Sequence, residues 1–174
     1  MKAIGKGSLA SILAAGLHIV RVVLFIAFFG LCIAAVALPL APLIVEAIEQ
    51  VKGAPLGHDI DTDTDAGDYL KILGHFVTVG VMLYIVNRLL EILRTLRFGS
   101  PFVRENADRF KRVGYALLIG EGAKFAFSFL GMIFDVDLEI NMELTTWIAI
   151  IAVFVLAEVF REGAKMKEEQ DLTV

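Results

Sequence analysis

The chain has 174 residues, 57% of them hydrophobic and 21% charged, with a formal charge of −4 and a mean hydropathy of +0.75. Soluble domains run about 45–50% apolar even with glycine counted, so an ordinary globular domain, a disordered chain and a coiled coil are excluded. An acidic balance (pI near 5.4) provides no global basic field, which argues against direct nucleic-acid binding.

The apolar residues come in long runs, and a membrane-spanning helix needs roughly 20 of them. In chain order the runs predict spans near residues 20–45, 70–90, 113–134 and 144–160. The first holds the uncharged stretch Val22–Val45; Lys2 and Lys6 precede it, and Ala35-Val36-Ala37 mimics a signal-peptidase site. The run is too long for a signal peptide and continues through Pro39 and Pro42, so a retained span is expected. Cys32 lies inside it and reads as a packing residue, leaving no disulfide framework.

The first connection, Glu46 to Asp68, is acidic, offers only Lys52 as a base, and is broken by Gly53, Pro55 and Gly57. Within it Asp61, Asp63 and Asp65 mimic the front of a calcium loop. Ala66 stands where that loop needs glycine and Ile72 where it needs a closing glutamate, so an EF-hand is rejected.

The second span carries Lys71 and His75 near its start and leads into a basic connection, residues 91–112. Leu89, Leu90, Leu93 and Leu96 hold an apolar stripe at helical spacing, with Arg88, Glu91, Arg94 and Arg97 on the other face. Gly99 should end this helix, Ser100 cap the next, and Pro101 take its first position. The next helix then places Phe102, Asn106, Phe110 and Val113 on one side of a basic amphipathic element. Such an element suits anionic lipid or a cytosolic partner, although inward-facing loops are basic in any case.

The third span carries Glu121 and Lys124 near its middle. Each charge costs about 2.5–3.5 kcal/mol at mid-membrane, which nearly cancels the gain from its apolar residues at about 0.3–0.6 kcal/mol each. Their i, i+3 spacing lets them pair, and Gly120, Gly122 and Ala123 allow close helix approach. Two uses are open: a structural pair fixing packing, or an ion path involving His75 or Arg21. The second outer loop, Asp135–Glu143, has no base.

The fourth span leads into a tail, residues 161–174, with Arg161, Lys165 and Lys167. Counting Lys and Arg at the span ends places both termini and the 91–112 connection in the cytoplasm. The fold expected is all-α: one integral membrane four-helix bundle over residues 1–174, N-in and C-in, with an amphipathic cytoplasmic helical connection. No nucleophile elbow, phosphate loop or HExxH spacing is present, and His18 and His75 are isolated, so no enzyme, cofactor or metal is expected.

Arg97-Phe98-Gly99-Ser100-Pro101-Phe102-Val103-Arg104-Glu105-Asn106-Ala107 resembles the G-x-P-F…N segment of a bacterial four-span membrane family, the domain of unknown function number 2975. Val159-Phe160-Arg161-Glu162-Gly163-Ala164 and the run from Glu168 to Val174 resemble its C-terminal signature, so the likeness extends over nearly the whole chain. It implies a place in the bacterial inner membrane and no catalytic residues. Members are often encoded beside a small helix-turn-helix regulator of the Cro/C1 type, which implies a cytosolic partner. Pro101, Phe102, Asn106, Phe160, Arg161, Asp171 and Leu172 are then the candidate partner-binding residues. An accessory subunit of a larger membrane complex, homo-oligomers and small-ion transport through Glu121 and Lys124 are the alternatives.

Overall fold

The structure is a computed structural model, and it describes residues 9–52, 65–98, 101–136 and 143–172. All regular structure among them is helical: α1 (Leu9–Ala37), a 3-10 turn (Leu38–Leu40), α2 (Ala41–Lys52), α3 (Ala66–Phe98), α4 (Arg104–Ile133) and α5 (Leu144–Leu172). Among the described residues four segments are long and apolar enough to cross a membrane: Leu9–Ile48, Ala66–Arg97, Arg104–Ile133 and Leu144–Leu172. Phe29, Ile119, Met132 and Leu144 stand among many large apolar side chains on the outer surface. Only a lipid environment accommodates so continuous an apolar exterior, and a helix satisfies its own backbone there. The chain is a multi-pass membrane protein.

Every long helix exceeds its expected span. α1 begins at Leu9 rather than near residue 20, and the first apolar run is not one straight rod. Pro39 lacks an N–H and its ring opposes the carbonyl one turn back, so α1 yields to the 3-10 turn before α2 resumes. As the helical spacing predicted, residues 91–112 continue the neighbouring helices. Their first part finishes α3, and Arg104–Arg112 opens α4. The corner is looser than expected: Val103, in an extended conformation and without a side-chain cap, precedes α4, so Pro101 is not the first helical residue. The stop at Gly99 and the cap at Ser100 lie outside the described residues, as do the breakers Gly53, Pro55 and Gly57. The expected tail is helical as far as Leu172. At about 1.5 Å per residue, helices of this size outrun a hydrocarbon core of about 30 Å and must project from it.

The packing also departs from a closed bundle. α1 lies on α3, α3 on α4 and α4 on α5; no further pair of long helices among the described residues packs along its length. The helices thus form a row, with α1 and α5 at its free edges. Small residues set the spacing. Gly114 of α4 meets the face of the Phe154 ring on α5, where an added Cβ would stand 2.8 Å from Cζ. Gly120 meets Val81 of α3, whereas Gly122, expected to share that role, faces open space. Phe28 and Phe76 meet edge to face at 5.2 Å between α1 and α3.

The row has two chemically distinct ends. At the acidic end Asp65 caps α3, its Oδ1 accepting from the Asp68 N–H at 2.9 Å. Asp135, with φ of 56°, turns the chain after α4, and the Val136 N–H reaches the Gly131 carbonyl at 2.8 Å. That turn lays Val136 on Gly67, with no room for a β-carbon. The opposite, basic end gathers the first turns of α1, the last turns of α3, the start of α4 and the end of α5.

Candidate functional site

The basic end brings together segments that are far apart in sequence. Asn106, in the first turn of α4, has a relative exposure of 0%. Its Nδ2 donates to the Pro101 carbonyl at 3.0 Å, while its Oδ1 accepts from Arg109 at 2.8 Å and lies 2.8 Å from the Thr95 hydroxyl on α3. One amide therefore ties the corner, α3 and α4 together. Arg109 continues the link, its Nε standing 3.3 Å from Glu91, a carboxylate that Arg88 also holds at 2.8 and 3.0 Å. Asn106 is enclosed, so it positions the corner from within.

Phe102 takes the outer side of that corner. Its ring lies on the α5 backbone at Gly163, 5.6 Å from the Phe160 ring centroid, and Phe110 adds a second ring 4.9 Å from Phe160. Gly163 and Ala164 are buried beneath. Gly163 thus acts as the flat seat of an aromatic ring, a role its position in the sequence did not disclose. Pro101 is half-buried beside it, and Phe102 keeps 42% of its surface exposed.

The remaining candidates lie along the projecting part of α5. Arg161 is exposed and pairs with Glu158 and, at 3.9 Å, with Glu162. Asp171 is exposed, and Leu172 is 86% exposed, about 18 Å along the helix from Phe160 by the rise per residue. The structure therefore unites Pro101, Phe102, Asn106 and Phe160 in one cluster and sets Asp171 and Leu172 apart on an arm.

Glu121 and Lys124 form the expected pair, Nζ to Oε1 2.6 Å, with side chains 7% and 49% exposed. The lysine faces a cleft of about 250 Å³ between α3 and α4, shared with Lys71, His75, Thr78 and Ser128. His75 Nδ1 lies 2.7 Å from the Lys71 carbonyl. Arg21 is not in this cleft; it lines a different groove at the basic end. No group of three or more His, Cys, Asp or Glu able to hold a metal occurs among the described residues. Of the calcium-like stretch, Asp61 to Thr64 lie outside them, and Asp65 serves as a helix cap.

The pair predicts an asymmetric mutational response. Lys124→Leu leaves a buried carboxyl without its cation and should lower stability by about 1–2 kcal/mol, discounted for the half-exposed lysine. Removing both charges in Glu121→Leu/Lys124→Leu should cost less than Lys124→Leu alone. Thermal melting of the purified protein in detergent measures both. A double variant less stable than either single one would refute a structural pair.

The sequence did not reveal how Arg21, Arg88, Arg94 and Arg97 converge. The spacing of Arg88, Arg94 and Arg97 was visible as a polar face of α3, but that α1 packs against it with Arg21 required the fold.

A family model described as "Protein of unknown function (DUF2975)" matches residues 69–174, which takes in nearly all of α3 and the whole of α4 and α5. The match is narrower than the whole-chain likeness the motifs suggested, since α1 and α2 fall outside it. No curated protein and no solved structure matches the chain. With more than half of its length matched, including the corner and the α5 arm, the chain belongs to the DUF2975 family of proteins of unknown function.

Proposed function

We propose that this protein is a non-enzymatic membrane platform that holds a cytosolic partner, such as a small helix-turn-helix regulator, at the inner face of the bacterial inner membrane. The observation that carries the reading is the convergence of two signature segments at the basic end. The corner at Phe102 and the end of α5 at Phe160 and Gly163 share one aromatic cluster. α5 then continues outward with the basic Lys165 and Lys167 followed by the acidic Glu168, Glu169 and Asp171, and ends on the exposed Leu172. A rigid helical arm beside a half-exposed aromatic ring supplies the charged and apolar contacts a protein partner needs. Asn106, enclosed as it is, contributes by holding the corner in shape.

The charge asymmetry supports placing this end in the cytoplasm, because loops rich in Lys and Arg stay on that side. The mechanism is sequestration: the bound regulator is kept from its site of action while the platform retains it. The open flank of α1 supports a second reading, in which the chain is an accessory subunit packed against other membrane proteins.

Co-purification of the tagged protein in mild detergent, with mass spectrometry of the proteins that accompany it, tests both. In whole cells a Lys165→Cys variant lacking Cys32 should resist a membrane-impermeant maleimide and label only after permeabilisation. Recovery of a DNA-binding protein, lost on deleting residues 168–174 or in Leu172→Glu, is the expected result. Labelling of intact cells, or retention of the regulator without the arm, would overturn the proposal. Large membrane subunits that survive both changes would establish the second reading.

A further inference from the structure

We propose that the groove between α1 and α3 at the basic end binds the phosphate headgroup of an anionic phospholipid. This rests on the membrane assignment alone and is independent of any protein partner. The groove has a volume of about 630 Å³. His18 and Arg21 enter it from one face of α1, and Tyr84, Arg88, Arg94 and Arg97 from α3. Three of these guanidiniums, Arg21, Arg88 and Arg94, face one carboxylate, Glu91, which is already engaged by Arg88 and by Arg109 of α4. Among the described residues, no carboxylate lies within ion-pair distance of Arg21 or Arg94, and the contact seen for Arg21 is the Phe25 ring at 5.6 Å. Such an excess of positive charge beside a low-dielectric layer calls for an anion. The planar guanidinium is suited to the oxygens of a phosphate, which it can hold through two parallel hydrogen bonds.

Depth decides which anion. Arg21 directly borders the uncharged run Val22–Val45, and Arg88 is the first charge on α3 after Lys71. The 17 residue steps of helix from Lys71 to Arg88 rise about 26 Å, close to a hydrocarbon core of about 30 Å. The groove therefore sits at the level where lipid phosphates lie, with Tyr84 one turn deeper, where aromatic rings gather at the interface. Beyond Arg21 the surface of α1 continues as exposed Val22, Val23, Phe25 and Ile26. A ligand that carries a phosphate and acyl chains fits both parts of this surface, whereas inorganic phosphate fits only the first. Basic pockets between membrane helices hold anionic headgroups in this way.

Native mass spectrometry of the full chain in detergent tests the assignment by titration with dioleoylphosphatidylglycerol, a phosphatidylcholine of the same chains, or inorganic phosphate. The wild-type protein should prefer phosphatidylglycerol by about thirtyfold, the effect of two surface arginines. Arg21→Gln/Arg94→Gln should lose most of that preference, and Arg94→Gln alone, at an exposed position, should lose part of it if the double variant does not fold. Arg104→Gln/Lys165→Gln removes the same charge outside the groove and should keep the preference. Equal binding of the two lipids by the wild type would overturn the proposal. So would equal losses in both double variants, or displacement of the lipid by phosphate at millimolar concentration, which would make the ligand a soluble anion.

Discussion

Replacing Asn106 with leucine is expected to lower the melting temperature of the detergent-purified protein by about 5–10 °C, corresponding to a loss of about 2–3 kcal/mol. The side chains are close in size, so the change removes hydrogen bonds without emptying space. It would leave the Pro101 carbonyl, the Thr95 hydroxyl and the Arg109 guanidinium short of a partner that now lies within 2.8–3.0 Å of each. Burial makes the loss expensive, because water cannot replace the amide at a site of 0% exposure. Asn106→Asp keeps an acceptor for Thr95 and Arg109 but loses the donor to Pro101, so it should fall between leucine and wild type. The added charge contributes to the outcome, and the neighbouring Arg109 offsets part of its cost. Protease sensitivity between α3 and α4 should rise in the same order. A leucine variant that melts with the wild type would show that the corner is held by its aromatic cluster instead.

The second large effect is expected at Gly163. A β-carbon there would stand 2.5 Å from Cδ1 and 2.9 Å from Cε1 of Phe102. Gly163→Ala therefore displaces the ring and costs about 1–3 kcal/mol by overpacking, even though alanine is the better helix former. Phe102 is half exposed and can swing outward, so the loss should sit at the low end of that range. The test is a double-mutant cycle. Phe102→Ala removes the obstructing ring, and Gly163→Ala made in that background should then be neutral or stabilising. Gly122→Ala is the matched control, since nothing stands within 4 Å of its added carbon. Gly163→Ala and Phe102→Ala effects that simply add would show that the ring does not rest on this glycine. Because both residues belong to the segments proposed to meet a partner, the cycle also separates stability from binding: a variant that melts normally but loses the partner identifies a contact surface.

Much of this molecule can be read along the chain. The four spans follow from runs of apolar residues of sufficient length, and the two oppositely charged ends from where Lys, Arg, Asp and Glu interrupt them. The Glu121–Lys124 pair follows from a spacing of three on a helix. The family follows from short motifs around Pro101 and Phe160. Each of these is a local property, carried within about one helix length of sequence.

The boundaries are less legible, because composition marks where lipid ends and not where a helix ends. Arg161 to Leu172 is polar yet helical, and Leu9 to Ile19 is helical ahead of the expected span. The cap at Asp65 is visible in the sequence as an Asp three residues before Asp68, but the calcium-like spacing of the same aspartates masks it.

Which helix lies beside which is a property of the packed molecule alone. Periodicity gives each helix a face without naming its neighbour, and four amphipathic or apolar rods can form a ring or a row. Here the small residues Gly114 and Gly120 seat α5 and α3 on opposite sides of α4, and among the described long helices α1 packs along α3. From that order come the ring of Phe102 on Gly163, the three-way amide of Asn106 and the arginine groove beside α1. These sites depend on distances between residues about 10 to 80 positions apart, and such distances are set by packing, not by any pattern within one helix.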